Sequence, residues 1–301
     1  MTPTVISTHS SPGTTSAPLE DRMGYPEPGA GMKFESGEVR RRYLKERLAA
    51  GFRVFAKYGF DEGGVAGHIS LRDPINPNAF WFNPFGLHFA LIKASDLLLV
   101  DESGKVIDGG ANRYINVAGF KIHSAIHKAR PDVNCAAHAH SLYGRTFCAF
   151  GKPLDIITQD SCAFYNILIS IRYQDHAVHE NFRGVVLEED EGIAIAQSLG
   201  VKKALLLQNH GLLTAGGTVE EAIYWFLSLD KCCYTQLLAD AAAAGNGGTA
   251  KKIGDKEALD RELTPLAKPS WKVVGTSKGG HFAGCSIFDL IEAETKGDYK
   301  N

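Results

Sequence analysis

Apolar side chains repeat every three or four positions in several segments of the chain, which is the period of an amphipathic helix. Leu44, Leu48, Phe52 and Phe55 follow this spacing, and the pattern predicts a long helix that ends at Gly59. A short helix is predicted over YGRTFCAF, and longer ones in AGFKIHSAIHKARPD, EEDEGIAIAQSLG and TVEEAIYWFLSLDKCCYTQLLADAAAA.

Short apolar or β-branched runs lie between the predicted helices and end at turn residues, as strands do. The segment SDLLLVDESGKVIDGG has a polar break between two apolar runs and predicts a β-hairpin. Further strands are predicted in VAGHISLRDP, FWFNPFGLHFA, VNCAAHAHSL and KKALLLQNHG. His176 and His179, in YQDHAVHENF, have polar neighbours and are interpreted as part of a solvated loop.

Composition changes near both ends of the chain. Residues 1–34 are rich in Ser, Thr, Pro and Gly, contain few apolar side chains and are interpreted as a flexible N-terminal arm. Residues 35–243 carry the periodic segments without a linker, so we expect one domain there. Residues 244–301 are predicted to be a tail that is partly ordered on this domain or on a neighbouring subunit.

The chain has 32 basic and 34 acidic residues and a formal net charge of −2. The two signs are interspersed, which argues against nucleic acid or an anionic membrane as a partner and favours a small-molecule substrate. There is no long apolar run of the kind that spans a membrane, and no signal-peptide pattern. We therefore expect a cytoplasmic protein.

Histidines occur in two short motifs that suit a metal ion. His138 and His140 lie two residues apart in a predicted strand and therefore project from the same face, among small neighbours. His210 follows the buried run ALLLQN, at a strand end from which a side chain can reach a cleft. Three neutral imidazoles suit zinc and leave one coordination position for water or substrate. An H-x-H pair alone is a weak signal, and ordinary core histidines are the alternative.

Three segments, GHISLRDP, PDVNCAAHAHS and LLLQNHGLLTAG, in this order within residues 37–243, resemble the class II aldolase/adducin family. The resemblance implies a three-layer α/β/α sandwich with a central, mostly antiparallel sheet, and a homotetramer with active sites between subunits. It also implies that His138, His140 and His210 match the family's zinc-binding histidines. In the family's aldolases, zinc stabilises the enediolate formed when a carbon–carbon bond is made or broken.

The chain departs from the pattern of the sugar-phosphate aldolases at two places. Their catalytic Glu precedes a helical His by four residues, and the matching position here is Gly119, which cannot transfer a proton. Their G-N-x-S motif corresponds to GHIS, beginning at Gly67, and a neighbouring Ser-Ser pair corresponds to Val117 and Ala118. Because these changes remove donors from an anion site, we expect a substrate other than a simple sugar phosphate.

Three residues are candidates for the missing proton transfer. His68 lies in a loop that lines the cleft in the family, and an imidazole titrates near neutral pH. Asp160 and Tyr165 lie in a stretch that, in the family, often approaches a neighbouring subunit's site. The alternatives are space filling for His68, and a helix cap or a surface hydrogen bond for the other two.

Candidates for substrate binding come from the loop FNPFG and from the segment GHISLRDP. Asn83 and Gly86, in FNPFG, match the family's loop for the polar end of a substrate, with a tight turn at the Asn-Pro step as the alternative. Ser70 is the third candidate. His123 and His127 lie four residues apart on one helical face, and without an acidic partner they are interpreted as partly buried structural histidines.

Two functions of different classes are compatible with these features. The first is a metal-dependent carbon–carbon lyase, of aldolase or decarboxylase type, acting on a small oxygenated substrate through a metal-stabilised enolate-like intermediate. A metal-dependent epimerase is its nearest variant. The second is a non-catalytic, adducin-like binding or scaffold protein, which the loss of the Glu favours. Retention of all three histidines favours the enzyme, with zinc or another divalent transition metal.

Overall fold

The computed structural model describes most of the 301-residue chain. The residues that it describes are 25–29, 31–168, 171–182, 184, 186, 188–254 and 275–301. Residues 1–24 of the predicted N-terminal arm lie outside them. Tyr25 is described, and its ring packs 5.1 Å from that of Phe282.

One large sheet organises the fold. The strands are β1 (His68–Arg72), β2 (Ala79–Phe82), β3 (Leu98–Asp101), β4 (Val106–Gly109), β5 (Cys135–Ala139), β6 (Tyr165–Leu168), β7 (Ile171–Gln174), β8 (His176–His179), β9 (Ala204–Leu207) and β10 (Gly211–Gly216). Eight of them form the sheet in the order β4-β3-β2-β1-β5-β10-β9-β8, and only the β8–β9 pair is parallel. Strands β6 and β7 pair separately.

Helices cover both faces of this sheet. They are α1 (Gly37–Lys57), α2 (Val117–Ala129), α3 (Leu142–Cys148), α4 (Glu189–Leu199), α5 (Val219–Gly245) and α6 (Ser277–Thr295). Helices α1, α5 and α6 enclose the larger apolar core, and α2 and α4 enclose a second core on the opposite face. The predicted α/β/α sandwich with a mostly antiparallel sheet is therefore confirmed.

The alternation of side chains along β5 separates the two cores. Cys135, Ala137 and Ala139 belong to the core under α1 and α5, whereas Ala136 belongs to the core under α2 and α4. Successive residues of a strand point to opposite faces, so His138 shares the face of Ala136. This parity places the candidate chemistry on the α2 side of the sheet.

Helix α1 forms where the sequence pattern predicts it. The Ser36 side chain caps its first turn by accepting a hydrogen bond from the Val39 amide, 3.3 Å away. Leu48, Phe52 and Phe55 are fully buried, and each such side chain contributes about 1.5–3 kcal/mol through its removal from water. The helical prediction for this segment is confirmed.

Helix α2 supplies the wall that faces the sheet at the candidate site. The Asn116 side chain caps it by accepting from the Gly119 amide, 2.9 Å away. Ile122 and Ile126 pack into the second core, while His123 and His127 are buried beside them. The cap fixes where the helix starts and therefore which of its side chains meet β1.

The structure corrects the interpretation of one segment and adds the packing of a second. The prediction that His176 and His179 lie in a solvated loop is wrong, because both belong to β8 and are buried at the sheet edge, His176 against the Leu154 amide. In the predicted C-terminal tail, α6 packs against α5 and α1 of the same chain. None of the helices in the described ranges is long and apolar enough to cross a membrane.

Candidate metal centre

Three histidines come together beyond the end of β5. His138 lies in β5, His140 follows that strand, and His210 lies in the turn between β9 and β10. Their ligand nitrogens all lie within 4.8 Å of one another. The rings meet at interplanar angles of 65–80°, with centroids 4.7–5.1 Å apart, so no two of them stack.

The backbone around His210 is shaped for this approach. Asn209 has a positive φ of 56°, which turns the chain before His210. At Gly211, an added Cβ would lie 2.7 Å from the Ala139 carbonyl oxygen and 3.2 Å from the His140 ring. Only glycine lets β10 come so close to the end of β5, and that closeness brings His210 to the other two rings.

The hydrogen bond of His138 defines its free nitrogen. Its Nδ1 atom lies 2.9 Å from the Leu212 carbonyl oxygen. A carbonyl only accepts, so Nδ1 carries the hydrogen and Nε2 carries the lone pair that a metal would use. A backbone partner of this kind orients metal-binding imidazoles.

All three imidazoles are held in the neutral form that binds a metal. Burial lowers the pKa of His138 well below its usual value, and neighbouring histidines lower it further. Burial, followed by the proximity of His140 and His179, lowers the pKa of His210 to about 4. Burial also lowers the pKa of His140, against the opposing effect of the Glu62 carboxylate.

Glu62 is the carboxylate next to this cluster. One of its oxygens lies 3.5 Å from His140 Nδ1, and the other accepts a hydrogen bond from Arg145 at 2.6 Å. A carboxylate beside a ligand histidine raises the basicity of the ring and fixes its orientation. The Arg145 contact in turn holds Glu62 in place.

The donor set fits a divalent transition metal. Two nitrogens bound at about 2.1 Å in a tetrahedral site are roughly 3.4 Å apart, so modest side-chain rotations from the present spacing, within 4.8 Å, would bring the three into range. His138 is 1% exposed, whereas His140 and His210 are less deeply buried. The cluster is therefore open on one side, where a fourth ligand could enter.

His68 fills the space above Gly119. A Cβ added at Gly119 would lie 2.4–2.8 Å from the Cδ2, Nε2 and Cγ atoms of the His68 ring. The same ring stacks on His138, with centroids 4.8 Å apart and planes at 25°. The imidazole thus fills the space that a side chain at position 119 would need, directly beside a candidate metal ligand, and the sequence resemblance matches this position to the Glu of the sugar-phosphate aldolases.

Ser70 belongs to a buried polar cluster behind His68. Its Oγ atom lies 2.6 Å from His123 Nδ1 and 2.8 Å from His127 Nε2, and His123 Nε2 lies 2.8 Å from His68 Nδ1. Ser70 is fully buried and its hydroxyl is held by two rings. In this structure the Ser70 hydroxyl contacts those rings, and its predicted contact with a substrate stays a prediction. His123 contributes both ring nitrogens to this cluster, and His127 contributes Nε2.

The loop after β2 holds the other two substrate-binding candidates. Asn83 is 2% exposed, and its Oδ1 atom is sealed without a hydrogen-bond partner among the described residues. The Gly86 amide donates to the Gly64 carbonyl, and the Phe85 amide donates to the Tyr114 carbonyl. These backbone amides support the loop itself, so any substrate contact there would involve the Asn83 side chain.

Asp160 and Tyr165 lie away from the histidine cluster of their own chain. Asp160 begins a short 3-10 helix, and its charge acts on Tyr224 and Cys232 of α5, raising the pKa of both after the larger effect of burial. Tyr165 is buried in a small apolar cluster with Cys162. Their participation in a neighbouring subunit's site stays a prediction.

The sequence interpretation missed Glu62 and the links between His123, Ser70 and His127. Glu62 lies in a loop without periodicity, so no pattern marked it. The spacing of His123 and His127 on α2, and of His68 and Ser70 on β1, was visible. The spacing does not show that α2 packs on β1. This packing joins the histidine pair of α2 and the His68–Ser70 pair of β1 into one cluster.

A sandwich of this topology, with three histidines gathered at the end of its central strand, defines a class II aldolase-type protein. The sequence profile described as the class II Aldolase and Adducin N-terminal domain matches residues 46–237. The chain belongs to this family. The matched range lies inside the predicted domain of residues 35–243, whose boundaries stay a prediction.

Two relatives named as enzymes are similar over most of the chain. The decarboxylase NovR of Streptomyces niveus is 45% identical over 86% of this chain and 86% of its own length. The protein called 4-hydroxy-3-prenylphenylpyruvate oxygenase/4-hydroxy-3-prenylbenzoate synthase, of Streptomyces roseochromogenus subsp. oscitans, is 39% identical over 87% of this chain and 85% of its own.

A solved aldolase structure is also similar to this chain. L-fuculose 1-phosphate aldolase from Glaciozyma antarctica PI12 superposes with a TM-score of 0.78 at 42% sequence identity, over 95% of this chain and 100% of its own. Together with the named decarboxylase, this similarity supports a lyase of the class II aldolase type.

Proposed function

We propose that this protein is a metal-dependent carbon–carbon lyase, of aldolase or decarboxylase type, with His138, His140 and His210 as the metal ligands. The observation that carries the proposal is the convergence of three neutral imidazoles within 4.8 Å of one another at the ends of the central strands β5, β9 and β10. We further propose zinc as the preferred ion, because neutral imidazoles suit it, and a cytoplasmic homotetramer as the working form.

The proposed substrate is a small oxygenated acid. The names of the two Streptomyces relatives point to decarboxylation and to a phenylpyruvate, which is a 2-oxo acid with an aromatic ring. Phe182 is 54% exposed, and its ring centroid lies 6.4 Å from that of His210. An apolar ring beside the metal ligands suits an aromatic or apolar substrate tail better than a sugar phosphate.

The bound metal would supply a Lewis acid that stabilises negative charge developing on the substrate's oxygens. The chain's own residues provide orientation and proton transfer. His138 is oriented by the Leu212 carbonyl, and His140 lies against Glu62. His68 lies next to His138 and holds the place of the missing Glu, so we assign proton transfer to its Nε2 atom.

The test begins with metal content. Protein purified without added ions, and apoprotein reloaded with Zn²⁺, Mn²⁺, Co²⁺, Ni²⁺ or Fe²⁺, are assayed for bond cleavage with aromatic and aliphatic 2-oxo acids, hydroxy acids and sugar phosphates. We expect one ion per chain and metal-dependent release of carbon dioxide or an aldehyde. His68→Gln should keep the ion and lose turnover. A His68→Gln variant with full turnover would remove His68 from the mechanism.

The non-catalytic, scaffold function predicts different results. A protein that never carries metal, and whose stability is the same with and without His138, would fit an adducin-like binding protein. Metal-dependent scrambling of substrate stereochemistry without net cleavage would fit the epimerase. The presence of enzyme names among relatives that span most of the chain favours the lyase over both.

A further inference from the structure

Three histidines and one serine form an unbroken hydrogen-bonded chain that leads away from the candidate metal centre. The links run from His68 Nδ1 to His123 Nε2 at 2.8 Å, from His123 Nδ1 to Ser70 Oγ at 2.6 Å, and from Ser70 Oγ to His127 Nε2 at 2.8 Å. All four side chains are buried, none more than 5% exposed. We call this set the imidazole chain.

Hydrogen-bond chemistry restricts the neutral imidazole chain to two fully bonded arrangements. If His68 donates from Nδ1, then His123 accepts at Nε2 and donates from Nδ1 to Ser70, and the Ser70 hydroxyl donates to Nε2 of His127. All three rings then carry hydrogen on Nδ1. In the reverse arrangement, all three carry it on Nε2. Mixed arrangements leave a buried group unpaired or two hydrogens opposed.

The two ends of the imidazole chain face different surroundings. His68 Nε2 makes no hydrogen bond within the described part of the chain, and it lies above Gly119, beside the candidate ligand His138. At the other end, His127 lines a cleft of about 720 Å³ whose wall includes Arg72, Phe80 and exposed Lys128. The chain thus connects two separate openings.

The distal nitrogen of the chain is unusual. His127 Nδ1 is sealed and has no hydrogen-bond partner among the described residues. The Val133 carbonyl acts on the same ring and raises its pKa, against larger lowering by burial and by the Arg72 charge, but its geometry falls short of a hydrogen bond. A nearby acceptor favours the arrangement with hydrogen on Nδ1, which leaves a lone pair on His68 Nε2.

We propose that His123, Ser70 and His127 relay a proton between His68 and water in the cleft beside His127. This inference rests on the proposed role of His68. When His68 Nε2 takes a proton, its Nδ1 hydrogen passes to His123 Nε2, the Nδ1 hydrogen of His123 to Ser70 Oγ, and the Ser70 hydroxyl hydrogen to His127 Nε2. The His127 Nδ1 hydrogen then passes to cleft water, and this last transfer requires a small movement of the ring because Nδ1 is sealed in the structure. Every ring is neutral before and after.

The relay lets buried rings transfer a proton without holding a charge. The three rings and Ser70 are buried, and a charge held there without an opposite charge beside it is costly. An isolated ring in this place would therefore hold a proton poorly at neutral pH. When all hydrogen bonds of the imidazole chain reverse their direction, the chain takes up a proton at one end and releases a proton at the other. No net charge then stays in the buried region.

The direct test reads the hydrogen positions on the rings. In zinc-loaded protein labelled with ¹⁵N-histidine, the nitrogen shifts distinguish protonated from unprotonated ring atoms, and single His→Gln variants assign the signals. We expect His68, His123 and His127 to share one tautomer, or one averaged population of the two. Ser70→Ala should leave His68 and His123 matched to each other but separate His127 from them. Different tautomers on the three rings of the unaltered protein would overturn the relay.

Turnover distinguishes a relay from a support. Ser70→Ala and His127→Phe should lower kcat by about 100-fold, the lower end for general acid–base catalysis, with unchanged KM and metal content. His127→Gln keeps a hydrogen-bonding group for Ser70 but cannot pass a proton, so it should be as slow as His127→Phe. Recovery of kcat in His127→Gln would show that the chain only orients His68 and would overturn the relay.

A matched control is His176, another buried histidine, whose two ring nitrogens bond to the Phe164 carbonyl and the Leu154 amide. His176→Gln should leave kcat per folded molecule unchanged. Failure of the proposed function is separable from failure of the relay: a protein that neither binds metal nor cleaves any substrate removes the proposed function, whereas the tautomer measurement judges the imidazole chain without any substrate.

Discussion

Two groups of histidines lie on the same face of the sheet and differ in what their ring nitrogens do. In the cluster of His138, His140 and His210, the ligand nitrogens face one another without hydrogen-bonding to one another. In the imidazole chain, most ring nitrogens of His68, His123 and His127 are hydrogen-bonded to another ring or to Ser70. The same residue type therefore forms a site with free lone pairs and, beside it, a nearly saturated network.

The difference comes from position along the strand and helix. His140 and His210 lie beyond strand ends, where backbone partners are scarce and side chains reach an open edge. His123 and His127 lie on α2 against the middle of the sheet, where an unpaired nitrogen is costly. Ring nitrogens that approach one another without mutual hydrogen bonds mark the metal cluster, and ring nitrogens that are hydrogen-bonded to another ring or to Ser70 mark the imidazole chain. Four predictions test this contrast, in order of decreasing effect.

The largest effect is expected for His210→Ala. This substitution removes one of three ligands but no hydrogen bond that holds the sheet together, so metal affinity should fall by more than about 100-fold. Metal content after dialysis against a weak chelator measures it. His176→Asn, which alters a histidine with bonded nitrogens, should retain the ion. Equal metal content in both variants would contradict the assignment of ligands.

The next effect tests the shared space of His68 and Gly119. Gly119→Glu alone should destabilise the protein by about 1–3 kcal/mol, because the new side chain collides with the His68 ring. Adding His68→Asn, as in the family's G-N-x-S motif, should remove most of this cost. Urea unfolding of both single variants and the double variant gives the coupling energy. Additivity to within about 0.5 kcal/mol would mean that the two positions do not compete.

A smaller effect is expected for Glu62→Gln. The substitution keeps the shape but removes the charge beside His140, and metal affinity should fall about tenfold, the lower end for such partners, because Glu62 is partly exposed. Titration with a competing chelator measures the affinity. Glu102→Gln, which alters an exposed carboxylate in the other cleft, provides the control and should match the unaltered protein.

The smallest effect concerns acid stability. Burial lowers the pKa of His176 to about 4 in the folded state, whereas the unfolded chain binds this proton near pH 6.5. Between these values the unfolded state holds more protons, so the unfolding free energy falls as pH falls, by up to about 1.4 kcal/mol per pH unit from this residue. His176→Asn should show a shallower slope from pH 6 to 4.5 and a parallel curve above pH 7. Identical slopes below pH 6 would rule out this contribution.

Local patterns were sufficient for the parts of the site built along single elements. The two-residue spacing of His138 and His140 predicted a shared face, and the run before His210 predicted a strand end near a cleft. Gly119 marked the loss of the Glu. The first two predictions depend on one strand and on its periodicity, which the sequence contains, whereas the prediction at Gly119 came from the resemblance to the family.

The rest depended on contacts between distant elements. His123 and His127 looked unsupported because an acidic partner was sought, whereas their partners are a serine and an imidazole of β1. His176 and His179 looked solvated because their neighbours along the chain are polar, but β8 is buried by its pairing with β9 and by α4. The pairing and packing of distant elements arise only in the folded protein, so the local sequence pattern of either segment does not predict them.

The turn that carries His210 has a consequence for how the fold is held together. An ion bound there would tie the end of β5 to the β9–β10 hairpin, two parts of the chain far apart in sequence, much as a removable cross-link does. Because a ligand that binds only the native state stabilises it in proportion to the logarithm of its concentration, the thermal resistance of this protein would rise and fall with the metal supply of its surroundings.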